Sequence, residues 1–149
     1  MNVKVWLAEV AGSVFTDRNA SVGVPALRLA LGIVFLWFGW LKILDLSPVK
    51  DLIFQTYNFL PQPLFFSFLG LLEVAIGIGL ILKLRLRLIL ALLWLQLAGT
   101  FLALALNPST FYLNHNPFLL TLKGEFIVKN LILLAGSLVV GGYEIGRQE

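Results

Sequence analysis

The chain has 149 residues, of which 59% are hydrophobic and 13% charged, with a formal net charge of +3. Water-soluble domains carry about 25% charged residues, so the composition excludes a soluble globule and points to lipid. Cysteine is absent and His115 is the only histidine, which excludes thiol–disulfide chemistry, Cys-ligated metal or iron–sulfur centres, and paired-histidine haem or copper sites within the chain.

Residues 1–22 are expected to form an interfacial amphipathic segment, because Val3, Trp6, Leu7, Val10 and Val14 share one helical face that Lys4 and Glu9 avoid. A first span follows at about 24–46, where Arg28 and Lys42 can snorkel toward opposite interfaces. Residues 47–63 read as a connection holding a short surface helix, its apolar face made by Val49, Leu52, Ile53, Tyr57 and Leu60 between Pro48 and Pro61. The remaining spans are predicted at 64–82, broken only by Glu73; at 88–106, without any charge; and at 126–142, with Lys129 alone. Each matches the ~20 residues a helix needs to cross a hydrocarbon core. NPSTFYLNHNP reads as a loop, and 144–149 as a C-terminal tail. The fold expected for 23–143 is therefore all-α, an integral-membrane four-helix bundle in contact with the lipid bilayer.

The cations are scattered beside apolar runs, which suits membrane flanks and not nucleic acid. Lys4, Arg18, Arg28, Lys83, Arg85, Arg87 and Arg147 fall on one side; Lys42, Lys50, Lys123 and Lys129 fall on the other. The compact KLRLR turn weighs most, so both termini are expected on the cytoplasmic side.

Three of the spans carry polar residues in helical rows with glycine. Arg28, Gly32, Phe35, Gly39 and Lys42 form one; Phe66, Gly70, Glu73, Gly77 and Leu80 a second; Glu125, Lys129, Ile132, Gly136 and Val139 a third. A weaker row holds Leu93, Gln96, Thr100 and Ala103. Glycines let helix backbones approach, so these faces are expected to look inward. With ~1.5 Å of rise per residue, Glu73 falls near mid-bilayer and Lys42, Lys129 and Thr100 fall about 6–9 Å below the same boundary. The expected polar centre combines Lys42, Glu73, Gln96, Thr100, Glu125, Lys129 and Asn130, without a metal. For Glu125 and Lys129 the competing reading is a plain helix-start pair at i, i+4. Glu73 is too deep and short to snorkel, which makes a buried partner or a function its default.

FLWFGWLK in the first span, GLLEVAIGIGLIL in the second and LKGEFIVKNLILLAG at the fourth resemble the DoxX/DoxD-like small membrane proteins, in order and spacing across about residues 24–142. The resemblance implies a four-helix bundle in a bacterial or archaeal plasma membrane, with Lys42, Glu73, Glu125, Lys129 and Asn130 at the family's recurring polar positions. It also implies association with quinone-linked oxidoreductases, as a small accessory or quinone-binding subunit. No cofactor is expected within the chain itself; a quinone is the expected ligand, and a redox partner would bring electrons. The alternative is a non-enzymatic transporter, channel or assembly module for an anion, a proton or a lipid head group. Low-charge helices and short loops also suit a homo-oligomer. The residues imply no catalytic group of the chain's own and exclude none.

Overall fold

The computed structural model describes residues 17–146. Most of the expected interfacial segment, residues 1–16, lies outside the described residues, as does the end of the expected tail, 147–149. In chain order the elements are α1 (Asp17–Ile43), α2 (Lys50–Thr56), α3 (Gln62–Ile81), α4 (Leu86–Leu106), the single turn α5 (Pro108–Phe111), a 3-10 turn (Leu113–His115) and α6 (Leu122–Gly146). Among the described residues, four helices (α1, α3, α4 and α6) are long and apolar enough to cross a membrane. The protein is an all-α four-helix membrane bundle with a short helix, α2, in its first long connection.

Local chemistry sets the helix ends. Both α1 and α3 finish in a Schellman motif: Leu46 N–H donates to Leu41 O and Leu84 N–H to Gly79 O, each at 2.9 Å. The left-handed residues in these motifs are Asp45 (φ 60°) and Lys83 (φ 55°), where glycine is usual. At the start of α6 the Thr121 hydroxyl accepts from Gly124 N–H at 3.2 Å, filling the N-cap role. That cap starts α6 four residues before 126, and the helix continues to Gly146 instead of ending at 142.

The tightest packing joins α1 to α3. A Cβ on Gly39 would lie 2.7 Å from the Gly70 carbonyl oxygen, and one on Gly77 would lie 2.5 Å from Leu36 N. Gly32 faces Gly77 in the same way, at 3.0 Å from its carbonyl oxygen. The whole α1 row and the whole α3 row face inward, as does the row on α4. Ile76, Leu80, Leu90, Leu93 and Val140 fill the core between the helices. Between α4 and α6, Trp94 Nε1 donates to Ser137 Oγ at 2.9 Å. Trp37, Leu95 and Ile132 point outward, on the surface a bilayer would cover.

The expected inward row on α6 is corrected. Of Glu125, Lys129, Ile132, Gly136 and Val139, only Gly136 is buried. The buried positions are Gly124 and Ile127 near the start and Gly136, Ser137, Val140 and Glu144 further along, two sets that lie on opposite sides of the expected row at about 100° per residue. Close to the helix start, Glu125 and Lys129 can reach water at the bundle end, so nothing forces them into the interior. Gly124, by contrast, lies against the Phe111 carbonyl with no room for a side chain. A Cβ on Gly136 would have its three nearest neighbours in the Leu27 side chain, at 3.4–3.7 Å, which is ordinary contact and not a close backbone approach.

Candidate functional site

The α1–α3 contact and the central ion pair are one construction. Because Gly70 has no side chain, the Lys42 stem lies directly across it: a Cβ on Gly70 would come 2.9 Å from Lys42 Cβ. From there the lysine reaches Glu73, almost one turn further along α3, and Nζ sits 2.6 Å from Oε2. Reciprocally, the absent side chain of Gly39 is replaced by Glu73 Cβ, at 2.9 Å from the position a Cβ would take. Both charged side chains are buried, 7% and 5% exposed. From α4, Gln96 Nε2 donates to the other carboxylate oxygen, Oε1, at 2.8 Å. Each oxygen of Glu73 therefore has a donor, the condition under which a buried ion pair is tolerated. One ammonium and one carboxylate leave the cluster with no net charge.

This cluster forms part of the wall of a cavity of about 300 Å³ at the end of the bundle that carries the long connections. Most of its lining is apolar, with Phe35, Leu52, Leu97 and Ile127 among the contributors. Thr100 and Asn130 also line it, and the Thr100 hydroxyl donates to Gln96 O at 3.2 Å. Of the expected polar centre, then, Lys42, Glu73, Gln96, Thr100 and Asn130 come together around one space. Glu125 and Lys129 do not. They are 53% and 70% exposed and face each other at 3.9 Å on the outer surface of α6, as a helix-start pair.

Helix α2 closes the cavity from the long-loop end. Its Leu52 and Thr56 are buried, and Tyr57 just beyond it donates through its hydroxyl to Gly99 O of α4. Burial pushes the Tyr57 phenol above its ordinary value, so that hydroxyl keeps its proton at neutral pH. Neither Thr56 nor Tyr57 was among the expected site residues. Tyr57 stood on the expected apolar face, whereas Thr56, four residues after Leu52, extends that face with a hydroxyl that periodicity reads as polar.

Between α1 and α6 the cavity wall is formed by aromatic rings that also face outward. Phe38 and Phe126 both line the space and are both exposed on the outside, 40% and 44%. Their ring centroids are 6.4 Å apart.

A second cluster at the opposite, short-turn end was not anticipated. Arg28 Nε donates to Glu144 Oε1 at 2.9 Å, and Lys83 Nζ lies 2.7 Å from Glu144 Oε2. Arg28 also donates to Leu80 O and Ile81 O, which caps the last carbonyls of α3 with a cation. The sequence reading puts Glu144 in the tail; its position four residues after Val140 sets it on the same face of α6 as that buried residue. This cluster ties α1, α3 and α6 together and does not border the cavity.

No protein-family model matches this chain, nor does any curated protein or solved structure.

Proposed function

We propose that this is a DoxX-like membrane protein whose cavity holds the head group of a lipid-borne quinone, and that it serves a membrane oxidoreductase as an accessory or quinone-binding subunit. The observation that carries this reading is the electrically neutral Lys42–Glu73–Gln96 cluster set in the wall of an otherwise apolar cavity inside the bundle. Membrane ligand sites of this type combine apolar bulk with a few convergent polar groups. An anion would need a cation free to receive it, and Lys42 is already matched by Glu73. Neutrality thus favours an uncharged head group over an anion. The Phe38 and Phe126 side chains, which line the cavity and are exposed on the outside, suit a ligand arriving from the lipid with its tail left outside. With no cysteine and a single histidine, electrons would come from a partner subunit.

The K/R asymmetry favours both termini in the cytoplasm, with the cavity then toward the external side of the membrane; the resemblance to DoxX-like proteins favours a bacterial or archaeal plasma membrane. Single cysteines at Arg85 and Asn114 should then react with an impermeant reagent from opposite sides; reaction of both from one side reverses the assignment.

The test of the function is purification from native membrane, followed by an optical spectrum and mass analysis of the lipid extract. Near-stoichiometric quinone together with a redox-active partner supports the proposal. Pure oligomers carrying no quinone contradict it.

A further inference from the structure

Two polar oxygens of the cavity wall are buried without a hydrogen-bond partner among the described residues: Gln96 Oε1 and Thr56 Oγ1. Both residues line the same space. The orientation of the Gln96 amide is fixed by its neighbour, because the opposite orientation would set its oxygen against an acceptor-only carboxylate. Gln96 Oε1 is left as an acceptor that only a donor can satisfy. Thr56 contrasts with Thr100, whose hydroxyl bonds the carbonyl of residue 96 one turn back along α4, the ordinary arrangement for a helical threonine. Thr56 makes no such bond, although it is 6% exposed. Buried groups of this kind are normally paired, and leaving them unmade is costly.

We infer that the cavity selects a head group that donates a hydrogen bond, a hydroxyl-bearing ring or alcohol on an apolar tail, over one that only accepts. A quinone carbonyl can take the Thr56 proton but leaves Gln96 Oε1 unmade. A hydroquinone hydroxyl can satisfy the amide oxygen, and a hydroquinone oxygen, like a quinone carbonyl, can accept a hydrogen bond from Thr56. Resting on the quinone reading above, the inference assigns the site to the reduced, hydroxyl-bearing form of that ligand. A glycerol-headed lipid shares the same chemistry.

The test is anaerobic calorimetric titration of the purified protein in nanodiscs with four decyl-chained probes: a benzohydroquinone, the corresponding benzoquinone, the hydroquinone's dimethyl ether, and a glycerol monoether. The hydroquinone should bind roughly tenfold more tightly than the quinone and the dimethyl ether, the order expected when one buried acceptor is left unpaired. In Gln96→Met the ratio of hydroquinone to ether affinity should fall to about one. Thr56→Val should weaken the hydroquinone without lowering the melting temperature, because its hydroxyl has no protein bond to lose. Equal binding of hydroquinone and dimethyl ether by the parent overturns the inference, whatever the variants do. Preference for the glycerol ether upholds the donor requirement and overturns the quinone reading. Binding of hydroquinone and quinone with equal affinity upholds the quinone reading and overturns the donor requirement. Binding of none of the four overturns both.

Discussion

Lys42 lies across Gly70 so closely that a Cβ on the glycine would be 2.9 Å from the lysine's own Cβ. The lysine is thereby delivered to Glu73 at 2.6 Å, and the same backbone approach that packs α1 on α3 also neutralises the buried carboxylate. Removing either charge alone strands the other away from water. Glu73→Gln and Lys42→Met should each destabilise the bundle by roughly 3–5 kcal/mol, and the double variant by clearly less than their sum. Lys129→Met, on the exposed face, should stay within about 0.5 kcal/mol of the parent. Unfolding in mixed micelles measures all four, and strictly additive losses would show that the pair is not coupled.

The glycine contacts give effects of opposite sign along one chain. Gly39→Ala and Gly77→Ala push a methyl to within 2.7 and 2.5 Å of facing backbone atoms, so each should cost roughly 1–3 kcal/mol through overpacking. Gly99 and Gly142 have nothing within 4 Å of an added Cβ. Alanine there should be neutral or stabilise by up to about 1 kcal/mol through helix propensity. Thermal melts in detergent decide between these signs.

At the short-turn end, Glu144 carries the load of the second cluster. Its side chain is 4% exposed, against 11% for Arg28 and 43% for Lys83. Glu144→Ala leaves Arg28 largely buried without its carboxylate and should destabilise by roughly 3 kcal/mol. Lys83→Ala should cost less than about 1 kcal/mol, because that partner is solvated. Comparable losses from the two would contradict the asymmetry.

The same pattern of burial explains what the sequence could and could not disclose. On α1 and α3, glycines and polar residues fall on one row, so periodicity and close packing name the same face; Lys42 and Glu73 were legible for that reason. On α6 the charges were used to choose the face, and they misled. Glu125 and Lys129 sit within two turns of the helix start, where lipid depth is small and outward facing costs little. Gly124 is buried at the start of α6, but its reason for being glycine is the Phe111 carbonyl, a contact across a loop that no local pattern encodes. Glu144 lies beyond the last apolar residue of a conventional span, so hydropathy cuts the helix before reaching it. Thr56 belongs to a seven-residue helix, too short for a periodic signal to separate its inner hydroxyl from the outer polar groups of Asp51 and Gln55.

Access to the cavity should run between Phe38 and Phe126, which line it and are exposed on the outside. A cysteine introduced at Thr100, on the lining, reports access in a chain that has no cysteine of its own. Phe38→Ala and Phe126→Ala should each accelerate its modification by lipid-soluble N-phenylmaleimide several-fold. Pro48→Ala, at the loop end of the same cavity, should leave the rate unchanged. Acceleration only by the loop variant would place the opening in water and not in lipid.

The central claim is that the space walled by Lys42, Glu73 and Gln96 is where a quinone head group sits, and photolabelling tests it most directly. A tailed azidoquinone should be irradiated on the protein in native-like bilayers, and the modified peptides mapped by mass. The account places the label on cavity-lining positions of α1, α4 and α6, around Phe38, Thr100 and Asn130. Unlabelled hydroquinone should suppress it, and Glu73→Gln should lose it. Label confined to outward-facing positions such as Leu95 and Ile132, unaffected by competitor or by Glu73→Gln, would contradict the account.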